Sequence, residues 1–218
     1  MTAPGLTFAV GDIHGRYDLL VAALDWIAER ASGSTGTIVL VGDYVDRGPQ
    51  SRQVVERLMT GGERRLRFVC LKGNHEDMLV HAVRQPFTQH HWLANGGSAT
   101  LASYDGNIPE EHVRWMTSLQ LSYEDEHRLF VHAGLNPRHP IGQQTEHDML
   151  WIREPFLLAN HDFGKHIVHG HTPNMAGPEI LPFRTNLDVG AFRSGRLCIA
   201  VFDPMQPGGP VNTEIVTA

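Results

Sequence analysis

The sequence predicts an α/β fold, and three observations support that prediction. Short apolar strands alternate with helical patterns through the first half of the chain, as they do in βαβ units. Each of the first three predicted strands ends at a glycine followed by a polar side chain. Hydrophobic residues make up 41% of the 218 residues and charged residues 19%, which is enough apolar material for a substantial core. We therefore predict one domain that spans residues 1–218.

Amphipathic helices connect the first three predicted strands. Apolar residues recur at helical spacing between Leu19 and Ala28, and again between Val54 and Met59. Glycines end both helices. The strands themselves are predicted at residues 6–10, 37–41 and 66–71. Because ligands bind at the carboxyl ends of strands in open α/β sheets, the polar residues that follow these strands are expected to meet at one site.

The middle of the chain is different. Residues 85–119 hold Trp92, Tyr104 and Trp115 among polar residues and show no strand pattern, so we predict a small helical cap insertion there. Further strands are predicted after it, at residues 121–123, 128–131, 166–168, 186–189 and 197–202. From about residue 204 the chain is rich in proline and glycine, which predicts an irregular C-terminal tail.

Composition excludes several classes of function. The chain has 18 basic and 24 acidic residues, for a net charge of −6, which argues against nonspecific nucleic-acid binding. No apolar stretch approaches the ~20 residues of a membrane span, and the first six residues lack a secretory signal. Cys70 and Cys198 lie in apolar runs, so we expect reduced, buried thiols rather than a disulfide framework. These features predict a soluble, cytoplasmic protein with no nucleic-acid or membrane partner, and they assign no oligomeric state.

Five short motifs carry the candidate chemistry. They are, in chain order, Gly11-Asp12-Ile13-His14-Gly15, Gly42-Asp43-Tyr44-Val45-Asp46-Arg47-Gly48, Gly73-Asn74-His75-Glu76, Val131-His132-Ala133-Gly134 and His169-Gly170-His171-Thr172. Their possible ligands are oxygen and nitrogen atoms without a thiolate, which suits Mn²⁺, Fe or Zn²⁺ better than a soft site or a calcium cage. A carboxylate in the middle of such a set can bridge two ions that clamp phosphoryl oxygens.

Each motif alone has a structural alternative. Asp12 and His14 would more often belong to a surface turn, and Asn74 could cap a helix. His132 and His171 would each more often be buried structural histidines. The occurrence of all five motifs in one chain, at predicted strand ends, favours a functional site.

The five motifs together span residues 11–172 and resemble the phosphoprotein phosphatase branch of the metallophosphoesterases, as found in bacterial and phage serine/threonine phosphatases. The resemblance implies a central β-sandwich flanked by helices. It also implies two divalent metal ions, with manganese preferred and iron or zinc as alternatives. The ligands that it implies are Asp12 and His14 for the first metal, Asp43 as the bridge, and Asn74, His132 and His171 for the second metal.

The resemblance also assigns roles at the substrate. Arg47 and Arg153 are similar to the family's phosphate-holding arginines, and a guanidinium fork matches two phosphoryl oxygens. In another context each would be a salt-bridge or structural arginine. His75 corresponds to the general acid and Asp46 to its partner, because a neighbouring carboxylate stabilises imidazolium and keeps a proton available. Pro173 stands where other branches carry a second metal-binding histidine.

The predicted reaction is hydrolysis of a phosphomonoester by a metal-bridging hydroxide that attacks phosphorus in line. The favoured substrate is a phosphorylated protein or peptide, as for a serine/threonine protein phosphatase, and phosphotyrosine activity stays open. The alternative is a symmetrical dinucleoside-tetraphosphate hydrolase on the same metal core. That group tends to have alanine where this chain has Asp46 and aspartate where it has Glu76. A non-catalytic scaffold of the same fold is a third alternative, disfavoured because His75, Arg47 and every implied ligand are retained.

Overall fold

The structure is a computed structural model that describes residues 5–63 and 65–218, except for the side chain of residue 63. Residues 1–4 and 64 lie outside the described part, so the predictions that include them extend beyond it. The strands are β1 (Thr7–Val10), β2 (Gly36–Leu40), β3 (Gly62–Glu63), β4 (Leu66–Cys70), β5 (Ser122–Glu124), β6 (Arg128–Val131), β7 (His166–His169), β8 (Glu179–Ile180), β9 (Arg184–Asn186), β10 (Arg196–Phe202) and β11 (Asn212–Thr217). They form two mixed sheets, which confirms the predicted α/β class.

Helices flank these sheets. They are α1 (Tyr17–Ala31), α2 (Ser51–Met59), α3 (Asn74–Arg84), α4 (Gln89–Trp92), α5 (Ser98–Ser103), α6 (Glu110–Thr117), α7 (Glu146–Trp151) and α8 (Ala191–Ser194). Shorter turns of 3₁₀ helix lie at Pro86–Thr88 and Ile141–Gln143, and a π-turn lies at Leu93–Gly97. Within the described residues, no helix combines the length and the apolar character that crossing a membrane requires.

The order of the strands brings loops from both sheets to one place. The six-stranded sheet has the order β11-β10-β1-β2-β4-β3, and the five-stranded sheet has the order β5-β6-β7-β9-β8. Strands β1, β2 and β4 are parallel, and so are β6, β7 and β9. Because parallel neighbours end at the same edge of a sheet, each sheet presents three loops at its carboxyl edge.

Alternation along the strands divides the core into layers. Phe8 and Val10 pack with the apolar faces of the helices, whereas Ala9 between them packs with residues of the second sheet. The layer between the sheets includes Phe130 of β6 and Phe202 of β10, whose ring centroids lie 5.6 Å apart. The two sheets therefore form a β-sandwich with helices on its outer side.

The segment between α3 and β5 is helical. It contains α4, α5 and α6 together with the turns at 86–88 and 93–97. Trp92 and Met116 from this segment are buried in the same apolar cluster as α1 and α2. The segment therefore packs onto the helical layer, while the boundaries of the cap insertion at 85–119 stay a prediction.

The prediction of an irregular tail from about residue 204 is wrong. Residues Asn212–Thr217 form β11, which pairs antiparallel with β10 at one edge of the six-stranded sheet. The proline- and glycine-rich residues make only the connection between these two strands. The β-branched side chains of Thr213, Ile215 and Val216 favour the extended conformation of β11.

Two smaller expectations also change. The strand predicted at 186–189 lies earlier, at Arg184–Asn186, and the chain turns away from the sheet after it. Both cysteines are free as expected, but only Cys198 is buried, and Cys70 is half-buried near the end of β4.

Candidate metal centre

Six polar side chains meet at the carboxyl edges of the two sheets. We call them the ligand cluster: Asp12 and His14 after β1, Asp43 after β2, Asn74 after β4, His132 after β6 and His171 after β7. None is more than 7% exposed. The fold therefore brings together, from both sheets, all six residues that the sequence proposed as metal ligands.

The backbone of these loops is strained at residues other than glycine. His14, Asp43 and His171 have φ angles of 47°, 54° and 68°, and Asp46 and Arg47 have φ angles of 72° and 69°. A residue with a side chain in this left-handed region costs on the order of 1–3 kcal/mol. Such strain is typical of functional sites, where the surrounding structure holds a side chain in a required direction.

Asp43 lies between two imidazoles. Its Oδ2 is 3.4 Å from Nε2 of His14, and its Oδ1 is 3.4 Å from Nε2 of His132. Each histidine directs Nδ1 to a backbone carbonyl 2.9 Å away, that of Val45 or Val41. Burial lowers the pKa of both rings, so each is neutral and donates its Nδ1 proton to the carbonyl. The lone pair of each Nε2 then faces a carboxylate oxygen.

Facing lone pairs repel each other unless a cation lies between them. Two donor atoms bound at about 2.1 Å to one tetrahedral ion lie about 3.4 Å apart, which matches the two distances from Asp43. A backbone carbonyl that fixes the tautomer is also a common feature of metal-binding histidines. The residues present therefore fit a cation on each side of the Asp43 carboxylate.

The second side of the cluster is built around Asn74. Its Oδ1 lies 2.9 Å from Nε2 of His132 and 3.0 Å from Nδ1 of His171. Burial lowers the pKa of His171 to about 3, so its ring too is neutral. The backbone N–H of His171 donates to both oxygens of Asp12, at 3.0 and 3.2 Å. This contact ties the loop after β7 to the loop after β1.

Two groups of three side chains offer ligand atoms close enough to share one ion. The first is His14, Asp43 and His75, and the second is Asp43, His132 and His171. Asp43 belongs to both groups, as a bridging carboxylate should. Asp12 belongs to neither, because its carboxylate is directed to the amide of His171. His75, which the sequence proposed as a general acid, completes the first group in this geometry.

Three buried carboxylates lie near one another in the centre. Burial, followed by the charges of Asp188 and Asp43, raises the pKa of Asp12. Burial and the charge of Asp43 likewise raise the pKa of Asp188 to about 6. Oδ1 of Asp188 accepts from the N–H of Gly190 at 2.8 Å, but its buried Oδ2 has no hydrogen-bond partner among the described residues. A bound cation would offset this excess of negative charge.

Asp188 is a residue that the sequence analysis missed. The predicted strand at 186–189 placed it inside a strand, whereas β9 ends at Asn186 and leaves Asp188 in the loop that follows. Its position repeats the pattern of the other sites, which is a polar residue just after a parallel strand. A correct strand end would have revealed it.

Glu76, which the sequence analysis named in a motif without a structural role, fixes the loop that carries Asp43. Its carboxylate accepts the backbone N–H groups of Asp43, Tyr44 and Val45 at 2.9, 2.7 and 3.2 Å, and that of Gly73 at 2.9 Å. It therefore joins the loop after β2 to the start of α3. Gly73 is needed at this junction, because a Cβ there would overlap the Asp43 carboxylate.

His75 and Asp46 form a buried pair. Nδ1 of His75 lies 2.7 Å from Oδ2 of Asp46, and the two side chains are 1% and 0% exposed. Burial alone would lower the pKa of His75, but the charge of Asp43 and the hydrogen bond to Asp46 raise it above its ordinary value. The ring is thereby held in a form that can carry a proton near neutral pH.

Two guanidinium groups flank the centre. Arg47 places Nη1 2.8 Å from Nε2 of His14 and Nη2 3.0 Å from Nε2 of His75, and it stacks on Phe192 at 4.9 Å. Arg153 lies beside the other group, with its Nε 3.4 Å from Nε2 of His171. Both predicted arginines are therefore present at the site, and Phe192 is an unpredicted support for one of them.

Comparison with known proteins gives a consistent family. The family model described as calcineurin-like phosphoesterase matches residues 7–193. The serine/threonine-protein phosphatase 2 of Salmonella typhimurium is 28% identical over 211 residues, which cover 87% of this chain and 89% of that protein. The symmetrical bis(5'-nucleosyl)-tetraphosphatase of Citrobacter koseri is 31% identical over 199 residues, which cover 88% of this chain and 65% of that protein. A crystal structure described as a candidate diadenosine tetraphosphatase has a TM-score of 0.72 and 25% identity, and covers 99% of this chain and 94% of that chain.

Proposed function

The chain belongs to the calcineurin-like phosphoesterase family, and from this membership we propose that it is a two-metal phosphatase of phosphoserine and phosphothreonine in proteins. The observation that carries the proposal is the buried pair of His75 and Asp46, joined at 2.7 Å. By resemblance, the dinucleoside-tetraphosphate hydrolases tend to have alanine at the position of Asp46. The pair is therefore the feature that bears most directly on the substrate.

The pair matters because the two candidate substrates release different oxygens. Hydrolysis of phosphoserine expels an alkoxide, a strong base comparable to hydroxide. Symmetrical cleavage of a dinucleoside tetraphosphate expels a nucleoside diphosphate through an oxygen of its terminal phosphate, whose second pKa is only about 6. A positioned general acid contributes about 10²–10⁴-fold, and this help is needed where the leaving oxygen is strongly basic. A held imidazolium therefore fits a phosphoprotein substrate better than a nucleotide.

The proposed metal site is the ligand cluster. The two cations would be held by Asp12 and His14 on one side, by Asn74, His132 and His171 on the other, and by Asp43 between them. Manganese is the proposed ion, with iron and zinc as alternatives that the same nitrogen and oxygen donors accept. When bound, the ions supply Lewis acidity at the phosphoryl oxygens and lower the pKa of water.

The chain's own side chains then bind and protonate the substrate. Arg47 and Arg153 flank the cluster, so their guanidinium groups would bind the phosphoryl oxygens from two directions. Nε2 of His75 faces the same space as Arg47, and it would give its proton to the departing seryl or threonyl oxygen. Asp46 accepts from Nδ1 of His75 and so directs the opposite nitrogen to the substrate.

Hydrolysis of dinucleoside tetraphosphates is the second candidate function. An apolar groove lined in part by Met78, Phe87, His91 and Trp151 opens beside the cluster, and the ring of Trp151 lies 6.3 Å from that of His171. Aromatic side chains of this kind can stack on a nucleobase. The relatives named for this activity give the candidate further support.

A comparison of the rates on the two substrates tests the proposal. The protein is stripped of metal, Mn²⁺ is restored, and phosphate release from a phosphothreonine peptide is compared with cleavage of diadenosine tetraphosphate. We expect metal-dependent hydrolysis of the peptide with little cleavage of the nucleotide. The opposite preference would assign the protein to nucleotide hydrolysis, and no activity on either substrate with two metals bound would indicate a scaffold.

Two variants sharpen this comparison. We expect His75→Ala to lower turnover of the peptide by about 10²–10⁴-fold and to change any residual nucleotide cleavage much less. His147→Ala, which removes an exposed imidazole from α7, is the matched control and should leave both rates unchanged. An equal loss on both substrates in His75→Ala would contradict the link between this residue and a basic leaving group.

A further inference from the structure

Four buried side chains surround Asp46 with hydrogen-bonding groups, and two of them come from the cap. We call Ser51, His75, Trp92 and Thr100 the Asp46 cage. Nε1 of Trp92 donates to both carboxylate oxygens, at 3.0 and 2.9 Å, and the hydroxyl of Thr100 donates to Oδ1 at 2.6 Å. All five residues are at most 1% exposed. Trp92 and Thr100 come from α4 and α5, so the cap supplies half of the cage.

The same residues hold the backbone of Asp46. Its N–H lies 2.9 Å from Oγ1 of Thr100 and 3.1 Å from Oγ of Ser51, and the two hydroxyls are 3.0 Å apart. Because the Thr100 proton goes to the carboxylate, its oxygen can accept from the amide and from Ser51. Both ends of Asp46 are thus fixed, although its φ of 72° is unfavourable for a residue with a side chain.

The turn between α4 and α5 supports this arrangement. A Cβ on Gly97 would overlap the indole of Trp92, so glycine allows the ring to lie flat against the turn. The carbonyl of Gly96 accepts the backbone N–H of Arg47 at 3.2 Å. One turn of the cap therefore packs against both the donor to Asp46 and the residue that follows Asp46.

We propose that Trp92 and Thr100 are positioning residues for proton donation to the leaving group. They fix the carboxylate of Asp46, Asp46 fixes Nδ1 of His75, and Nε2 of His75 is thereby held in the direction of the departing oxygen. By holding His75 in this way, the cap would allow the enzyme to hydrolyse phosphate esters whose leaving oxygen is strongly basic. The inference rests on the role proposed above for His75, but it is independent of whether the natural substrate is a protein.

The physical reason is the freedom of an unrestrained carboxylate. Rotation about the last torsion of an aspartate is broad, and a single partner leaves that rotation largely free. Donors on both oxygens, together with the held amide, leave one direction for the hydrogen bond to His75. A misplacement of about 1 Å in a catalytic group can cost on the order of 10²-fold in rate, so this restraint is large enough to matter.

The test is the dependence of the rate on the leaving group. kcat/KM is measured with Mn²⁺-loaded protein for a series of aryl phosphates, from dinitrophenyl phosphate with a weakly basic leaving group to phenyl phosphate with a more basic one. The variants are Thr100→Val, which removes one donor at nearly constant volume, Trp92→Phe, which removes the indole N–H together with one of its two rings, and Thr100→Ser, which keeps the hydroxyl. His75→Ala provides the reference pattern, and metal content is measured for each protein.

We expect Trp92→Phe and Thr100→Val to lose about 10- to 100-fold on phenyl phosphate and less than about threefold on dinitrophenyl phosphate, with two metals retained. Thr100→Ser should recover most of the loss. Trp115→Phe and Thr117→Val make the same chemical changes in a different helix, α6, and should not alter the dependence of the rate on the leaving group. Adding Thr100→Val to His75→Ala should cost little more, because both act on one step.

Several outcomes overturn the inference. An equal loss across the whole series, or a loss of bound metal, would assign Trp92 and Thr100 a merely structural role. If the cap variants show the expected losses but the wild-type protein does not hydrolyse phosphopeptides, the proposed substrate is refuted and the inference stands. If the wild-type protein hydrolyses phosphopeptides but the cap variants show the same dependence on the leaving group as the wild type, the inference is refuted and the proposed substrate stands.

Discussion

Asp43 and Asp46 lie three residues apart in one loop, and their side chains are equally buried, yet their surroundings are opposite. Asp43 faces the Nε2 lone pairs of His14 and His132 at 3.4 Å. Asp46 instead receives donors on both of its carboxylate oxygens, from Trp92, Thr100 and His75. Asp43 accepts the backbone N–H of His75 at 3.1 Å, but its oxygens otherwise face ring nitrogens without a proton, whereas the Asp46 carboxylate is satisfied without any added group.

The contrast between the two aspartates shows that one loop serves two purposes. A buried polar group without partners is costly, so the ligand cluster stores a cost that a bound cation removes. The Asp46 cage has no such unpartnered polar atoms, since they satisfy one another, and its role is to orient His75. Changes in the ligand cluster should therefore alter metal binding, while changes in the Asp46 cage should alter chemistry with the metals in place.

Asp43→Asn gives the largest expected effect. The neutral amide cannot supply an anionic oxygen to a cation on each side, so we expect fewer than two metals per chain and a loss of turnover on the order of 10³-fold or more. Metal analysis together with a phosphatase assay checks this. Asp46→Asn is the matched change in the Asp46 cage and should keep both metals. If Asp43→Asn retained two metals, the bridging role would be wrong.

His75→Ala should give the next largest effect. We expect kcat to fall by about 10²–10⁴-fold, because the proton donor is lost, while metal content stays near that of the wild type. Metal analysis and steady-state kinetics on a phosphopeptide check the prediction. Loss of a metal would instead make His75 a ligand of the first group, in the place proposed for Asp12.

Glu76→Gln tests the loop that supports the ligand cluster. An amide would direct its NH₂ at backbone N–H groups that now donate to a carboxylate, so we expect about 2 kcal/mol less free energy of unfolding. Chemical denaturation of the metal-free protein measures it. The exposed Glu111→Gln on α6 serves as the control. A stability equal to that of the wild type would mean that the loop holds Asp43 without this carboxylate.

Asp188→Asn should give the smallest effect on turnover and an effect on stability whose sign depends on the metal. The pKa of Asp188 is raised to about 6 by burial and by Asp43, so its carboxyl favours folding at low pH and loses that contribution as the pH rises through 6. The free energy of unfolding of metal-free Asp188→Asn should then come to exceed that of the wild type by on the order of 1–3 kcal/mol as the pH rises from about 4 to 7. Thermal unfolding measured across this range tests the sign.

With metals bound, the wild type should be more stable than Asp188→Asn. We expect Asp188→Asn to bind Mn²⁺ about 10-fold more weakly, as measured by titration calorimetry, because a negative charge near the cations is lost. Equal affinity in the two proteins would show that Asp188 does not interact with the metal centre.

Sequence alone predicted the βαβ half of the fold and the residues of the ligand cluster for one physical reason. Parallel strands buried between layers read as short apolar runs, and the glycine after each run marks the turn where a functional side chain follows. Asp12 and Asp43 were therefore found with their strands. Asp188 was missed because the apolar Leu187 and Val189 beside it extended the predicted strand too far.

Contacts between distant segments could not be predicted in this way. Nothing in the local pattern around Trp92 or Thr100 shows that their donors meet at Asp46, since the cap must first pack against the loop after β2. Strand β11 was missed for a similar reason, because its residues satisfy their backbone hydrogen bonds only by pairing with β10.

The pairing of β1 with β10 has a consequence for how the protein matures. Thr7 lies opposite Phe202 in this antiparallel pair, and the N–H of Gly11, next to Asp12, donates to the carbonyl of Cys198. Strand β10 follows β1 in the sequence only after strands β2 to β9. Contacts so remote in sequence form slowly. The loop that carries Asp12 and His14 is therefore expected to reach its final position, and to become able to hold a cation, only late in folding.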